Sequence, residues 1–474
     1  METITPPVTN LLDRFNRWIQ ESIMVKLFSI GILIIILLLP TSLIDDLIRE
    51  RQHRAGEVMS EVADKWSDSQ LISGPVLMIP YRTVEIVEHG PDKKELVDRI
   101  EKAFFLPEQF DVNGTVNPQM LHRGIFDVVV YESALQMQAT FGKPDLKTLS
   151  IPEEAVVWKD VSLVFGIADL RGISDNPVIK IGDKTYTPEP SGNIGISLWQ
   201  KGTPVVPDAY DEREAVHENT GGITVNLGWT GLDSFTGDFQ MNLKLKGSRR
   251  LDFLPTGKTT TARLSGPWSD PSFDGFLPAS RQVSDSGFAA TWKVLHFNRP
   301  FSQQWIGSEQ RLSGDFGVKL LIPVDQYQKS TRTAKYGILV VLLTFMSLFL
   351  VEITQKVRIH PFQYILVGVA LIIYYTLLLS FSEHMGYNVA YIIASAATVI
   401  LIGLYSSTFL KRQLSLLVTL LLAIFYTFIF VIILQQDYSL LLGSIGLFLI
   451  VGFLMYFSRK VNWYREAPGV NVEA

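Results

Sequence analysis

Val25-Lys-Leu-Phe-Ser-Ile-Gly-Ile-Leu-Ile-Ile-Ile-Leu-Leu-Leu-Pro-Thr-Ser-Leu-Ile44 decides the architecture. It is apolar almost throughout, with Lys26 its one charge, and about 20 such residues in a helix match a hydrocarbon core of roughly 30 Å. Asp45 and Asp46 follow directly and no small-residue cleavage site stands near Pro40 and Ser42, so the stretch reads as a retained signal anchor. Before it, Leu11, Leu12, Phe15, Trp18, Ile19 and Ile23 recur at helical spacing opposite Asp13, Arg14, Arg17 and Glu21. That pattern fits a short interfacial helix or a plain amphipathic lead-in. After it, Ile48, Ala55, Met59, Val62 and Trp66 keep the helical period, which predicts that the helix runs on and ends near Ser67 to Gln70.

Five more apolar stretches close the chain: Tyr336 to Val351, Phe362 to Phe381, Tyr387 to Leu410, Leu414 to Leu434 and Tyr438 to Phe457. Lys356 and Arg358, then Lys411 and Arg412, then Arg459, Lys460 and Arg465 lie in alternate connections. Ser382 to Gly386 and Gln435 to Asp437 contain neither Lys nor Arg. Basic residues stay on the cytoplasmic side, so both termini are expected in the cytoplasm and the large central region in the periplasm of a bacterial inner membrane. The expected organisation is a cytoplasmic amphipathic segment 1–24, a signal anchor 25–47, a periplasmic β-rich domain 48–334, a five-helix transmembrane domain 335–460 and a cytoplasmic tail 461–474.

Within the central region the period changes to two. Pro75 to Tyr81, Ile125 to Tyr131, Val156 to Phe165, Ile223 to Trp229, Phe239 to Lys246, Thr291 to His296 and Phe316 to Ile322 are short runs rich in β-branched and aromatic residues, parted by Gly, Pro, Asn and Asp. These predict a sandwich-like multi-strand domain, so the fold class is an α+β membrane protein. The chain has no Cys, which removes disulfides, thiolate metal sites and cysteine nucleophiles together. A net charge of -5 gives no reason to expect nucleic acid.

Catalytic signatures are sparse. Gly257-Lys-Thr259 resembles the end of a phosphate-binding loop, but Asp252 stands where that loop requires Gly, which leaves a strand-edge turn. Asn113-Gly-Thr115 likewise reads as a turn. There is no G-x-S-x-G, and the seven His lack close ligand spacing. No cofactor or metal is called for. Inside the five C-terminal spans as bounded above there is no ionisable Asp, Glu, Lys, Arg or His, which disfavours an ion-driven transporter.

Polar groups gather instead at the two faces, Glu352 with His360 and Gln363 on one and Ser382, Glu383 and His384 on the other. A Glu beside a His at a membrane surface could move protons or bind a headgroup or metal, although an interfacial turn is the plainer reading. Ala390, Ala394 and Thr398 repeat a small residue every fourth position, as closely packed membrane helices do. Tyr374, Tyr375, Tyr387, Tyr391, Trp463 and Tyr464 read as anchors at headgroup level.

A longer series of residues resembles the CreD family of bacterial inner-membrane proteins over nearly the whole chain. It includes Ser73-Gly-Pro-Val-Leu-Met-Ile-Pro-Tyr81, Leu106-Pro-Glu108, Asp169-Leu-Arg-Gly172, Leu254-Pro-Thr-Gly-Lys-Thr-Thr260, Pro271-Ser-Phe273, Phe276-Leu-Pro278, Gly287-Phe288 and Trp292. Pro323-Val-Asp-Gln-Tyr327, His360-Pro-Phe-Gln-Tyr364 and Leu379-Ser-Phe-Ser-Glu-His384 continue it. The resemblance implies a cell-envelope integrity protein linked to a two-component system and to colicin tolerance, with no catalytic motif to transfer. The expected function is therefore non-catalytic support of the envelope, with membrane lipids and envelope proteins or a sensor kinase as partners. The alternatives are an enzyme or carrier for a lipid-linked substrate near Glu383 and His384, and a ligand-sensing partner of a two-component system.

Overall fold

The structure is a computed structural model that describes residues 23–88, 94–201, 216–308, 310–320, 325–355, 357–435 and 439–459. The amphipathic segment 1–24, apart from its last two residues, lies outside the described residues, as do Trp463, Tyr464 and the tail 461–474. The chain divides into a helical unit, Met1–His53 with Val324–Ala474, and a strand-rich unit, Arg54–Pro323.

The helical unit starts with α1, Ile23–Trp66, an unbroken helix of 44 residues whose last turns belong to the strand-rich unit. Ile30, Leu37, Ile44 and Ile48 are buried at seven- and four-residue spacing, while Phe28, Ile32, Ile35, Leu39 and Leu43 are exposed on the other side. One face therefore meets the bundle and the other is left for lipid. Contact is close because Gly368 has no side chain: a Cβ there would stand 2.4 Å from Leu37 Cδ1.

The other helices are α2 (Asp325–Lys335), α3 (Gly337–Thr354), α4 (Pro361–Met385), α5 (Tyr387–Ser406), α6 (Arg412–Leu434) and α7 (Ser439–Ser458). Among the described residues, α1, α3, α4, α5 and α6 are long and apolar enough to cross a membrane, and α7 contains the shorter apolar run Leu441–Phe453. Along α5, Ala390, Ala394, Thr398, Ile402 and Ser406 are buried at every fourth position, the close-packing seam that the small residues predict.

The tyrosines depart from expectation. Tyr374, Tyr375, Tyr387 and Tyr391 are not exposed anchors but are buried inside the bundle, where the Tyr374 ring packs at a tilt against Tyr426 with centroids 4.6 Å apart and the Tyr391 hydroxyl donates to the Tyr426 carbonyl at 2.7 Å. Tyr374 sits in mid-helix, and its ring fills bundle volume that a headgroup anchor would leave empty.

Among the described residues of the strand-rich unit four sheets form. The eight-stranded one runs, in spatial order, Ser280–Ser284, Gly287–Leu295, Thr259–Gly266, Gln109–Arg123, Phe126–Thr140, Asp238–Ser248, Val178–Ile181 and Lys184–Tyr186. Its centre is a hairpin in which Arg123 pairs Phe126 across a two-residue turn with Gly124 at φ +64°, the left-handed conformation that such turns need. A six-stranded sheet is built on the hairpin Val76–Glu88 and Lys94–Phe105. Alternation of buried and exposed residues along 131–140 and 238–245 turns one face inward. Leu135, Met137, Met241 and Leu243 from that face share one hydrophobic core with Leu77, Phe105 and Leu163 of the six-stranded sheet and Phe253 and Phe316 of a four-stranded one.

All seven runs expected as strands contain one. Val156 to Phe165 does so only from Ser162, because 3-10 turns at Glu153–Ala155 and Trp158–Asp160 come first. Gly257 lies in a bend ahead of Thr259–Gly266, its amide donating to Thr260 Oγ1 at 3.0 Å. Asn113-Gly-Thr115 is not a turn but mid-strand. Gly114 points inward, where a Cβ would meet Leu135 and Leu264 at 2.5 and 2.8 Å, so the glycine makes room for core leucines.

The Asp169-Leu-Arg-Gly172 stretch holds the exit of α1. Asp169 Oδ2 accepts from Ser67 Oγ (3.0 Å) and the Asp68 amide (3.1 Å), Arg171 Nη1 donates to the Asp64 carbonyl (2.8 Å), and a Cβ at Gly172 would stand 2.3 Å from the Lys246 carbonyl. Burial alone would raise the Asp169 pKa, but the Arg171 guanidinium, the Asp68 and Arg171 amides and the Ser67 hydroxyl outweigh it and hold the pKa at about 2. A folded pKa below the ordinary carboxylate value adds stability that is complete above about pH 4 and lost as pH falls through about 2. Acid titration followed by circular dichroism should therefore show a flatter loss over that window in Asp169→Asn than in the wild type; identical slopes would refute the assignment.

Candidate functional sites at the two ends of the bundle

At one end, α1 contributes Lys26, α3 contributes Glu352 and α4 contributes Tyr364. Lys26 Nζ lies 2.5 Å from Glu352 Oε1, the Tyr364 hydroxyl donates to Oε2 at 3.0 Å, and the Ile359 amide reaches Oε1 at 3.4 Å. Glu352 is 3% exposed and Lys26 24%. A carboxylate so deeply buried is tolerable only with partners of this kind, since an uncompensated one costs several kcal/mol. The structure also gives the tyrosine a second anchor, an edge-on contact with Phe345 at 5.6 Å.

His360 has a different task. It is the N-cap of α4: its Nδ1 accepts from the Phe362 amide at 3.2 Å, and its own amide donates to Gln363 Oε1 at 2.9 Å. With Pro361 at the first helical position this is a complete helix start, and it occupies the imidazole nitrogen that faces the chain. Glu352 and His360 share no hydrogen bond among the described residues.

At the other end, Arg51 of α1 stands 4.0 Å from Glu383 Oε1 on α4, and the Tyr327 hydroxyl of α2 donates to the same oxygen at 3.3 Å. Burial, and then the neighbouring Glu383 carboxylate, push the Tyr327 phenol up from its ordinary value, so it stays a neutral donor. Close by, Thr333 and Tyr387 share a hydroxyl contact of 2.6 Å and Lys329 lies over the Tyr387 ring at 5.9 Å. His384 is exposed and forms no hydrogen bond with Glu383 among the described residues.

The four candidates thus separate. Glu352 and Glu383 are ion-pair partners of α1, at Lys26 near its start and at Arg51 farther along it, His360 caps a helix, and His384 faces outward. Lys26 and Arg51 lie about 38 Å apart along α1 at 1.5 Å per residue, close to the thickness of a bilayer with its headgroups. The residues that sequence reasoning did not single out are Lys26, Arg51, Tyr327 and Tyr364. Lys26 had a signal, being the one charge in an otherwise apolar run.

A family model described as inner membrane protein CreD matches residues 22–464. The chain is 31% identical to inner membrane protein CreD of Escherichia coli (strain K12) over 447 residues, which cover 93% of each. Among solved structures, an M1 zinc metallopeptidase from Deinococcus radiodurans aligns with a TM-score of 0.18 at 10% identity, covering 40% of this chain and 38% of that one. A variant of that enzyme reaches a TM-score of 0.19 at 10% identity, over 77% of this chain and 96% of its own. Scores so low carry no argument about fold or activity.

Proposed function

The chain belongs to the CreD family of inner-membrane proteins, and from that premise we propose that it supports envelope integrity under stress without catalysis, through a periplasmic, sandwich-like strand-rich unit. One observation supports this most. Three of the four acidic and imidazole side chains that could have formed a site are engaged in holding helices, Glu352 with Lys26 and Tyr364, His360 as a cap, and Glu383 with Tyr327 and Arg51, while His384 is exposed. The Lys26 contact also supports the orientation, because it sets the start of α1 beside the α3–α4 connection that carries Lys356 and Arg358, a cytoplasmic signature. On this reading both termini are cytoplasmic, and the partners are membrane lipids with envelope proteins or a two-component sensor kinase.

The test is a deletion strain challenged with bile salts and detergents. It should lose tolerance and regain it from the wild-type gene and from the double variant Glu383→Ala, His384→Ala produced at equal level. A double variant that is present in the membrane but fails to complement would favour a lipid-linked reaction at that face. A deletion strain with unaltered tolerance would sink the envelope reading.

A further inference from the structure

We propose that the solvent face of the eight-stranded sheet is a binding groove for a carboxylate-bearing oligosaccharide. An open trough of about 720 Å³ crosses the five strands from Gly287–Leu295 to Asp238–Ser248. Its floor is a row of small residues set side by side by the strand register, with Ala289 opposite Ser265, Ser265 opposite Thr115, and Thr115 opposite Ala134. The neighbouring row is a wall of longer polar groups, Arg263 beside Asn113, Asn113 beside Gln136, and Gln136 beside Asn242. At about 4.8 Å per strand, the trough spans about 19 Å, room for an extended chain of several units.

The chemistry of the wall selects the occupant. Each carboxamide offers donors and an acceptor, which is what a sugar hydroxyl requires, since it both donates and accepts. Arg263 and Lys244 are the charged lining residues, and no carboxylate lines the trough. Lys244 reaches Asp175 at 3.3 Å, whereas Arg263 donates to the neutral Asn113 Oδ1 at 3.2 Å, which orients the guanidinium and leaves its charge for an anion. An extended peptide would pair with a strand edge, and this is a sheet face. The large apolar residues of the lining, Leu135, Leu243 and Leu264, have their side chains buried in the core beneath the sheet, so neither a lipid tail nor an apolar protein surface is matched.

This inference deepens the envelope reading and rests on it for the source of the ligand. The test uses the full chain in nanodiscs of zwitterionic lipid, titrated with tetragalacturonate, maltotetraose and tetraglutamate. Tetragalacturonate should bind about tenfold more tightly than maltotetraose, Arg263→Gln should erase that margin, and Ala134→Trp should block both sugars with unchanged thermal unfolding. The proposal is overturned by the absence of saturable sugar binding, by equal affinity for the two sugars, or by an Ala134→Trp variant that binds as the wild type does. It is also overturned if tetraglutamate binds as tightly and Gln136→Ala leaves every affinity unchanged, or if the trough is covered by a second copy of the chain at working concentration. Binding is read on purified protein and tolerance in cells, so lost binding with an intact deletion phenotype sinks the groove alone. Intact binding without a phenotype sinks the envelope reading alone.

Discussion

Replacing Lys26 by Met is expected to destabilise the helical unit by about 3–5 kcal/mol, because it removes the cation from a carboxylate that is 3% exposed. Glu352 would keep the Tyr364 hydroxyl and the Ile359 amide, two neutral donors that do not cancel a charge. The partners are not symmetric. Glu352→Gln should cost only about 1–2 kcal/mol, since the amide oxygen can still accept from Tyr364 and Lys26, 24% exposed, can extend its ammonium toward water. The double variant Lys26→Met, Glu352→Gln should then be more stable than Lys26→Met alone. Thermal denaturation of the purified protein in one detergent, with the four members of the cycle compared, measures this. Additive losses in the double variant would show that the two side chains are independent. The Arg51–Glu383 contact is 4.0 Å long with Arg51 47% exposed, and contributes no more than about 1 kcal/mol.

What could be read from the sequence follows from the range over which each signal acts. Spans are local: an apolar run of sufficient length is enough, and the 3.6-residue period of Ile48, Ala55, Met59, Val62 and Trp66 carries α1 to its end at Trp66. Strands with clean alternation were equally legible. Lys94–Phe105 was not, because Lys94, Glu95, Asp98, Arg99, Glu101 and Lys102 crowd it with charges, and its pairing with Val76–Glu88 is a long-range fact. The helix α2 was missed for a related reason. Its buried residues are Tyr327, Ser330 and Thr333, a hydroxyl face that presents no apolar stripe. Glu352 was visible as a polar residue at a helix end, but its partner Lys26 is 326 positions away, and no spacing rule reaches so far.

Trp292→Ala should be the most damaging single change in the strand-rich unit. The ring is fully buried, lies 5.7 Å from Phe273 edge-on and 5.8 Å from Phe316, and its Nε1 donates to the Phe276 carbonyl at 2.9 Å. This convergence gives a physical reason for the order of Phe273, Phe276, Phe288 and Trp292 along the chain, since Phe288 also meets Phe273 at 6.2 Å. Truncation to Ala leaves a cavity worth about 3–5 kcal/mol and strips the Phe276 carbonyl of its donor, about 1–3 kcal/mol more if water cannot replace it. Trp292→Phe separates the two effects, since it keeps an aromatic ring and loses the N–H, and should cost about 1–3 kcal/mol. Hydrogen exchange of Gly287–Leu295 in the full chain reports the local loss. At about 1.4 kcal/mol per tenfold, protection should fall by roughly a hundredfold or more in the Ala variant and by roughly tenfold in the Phe variant. Equal protection in all three proteins would mean that the aromatic cluster does not anchor this end of the sheet.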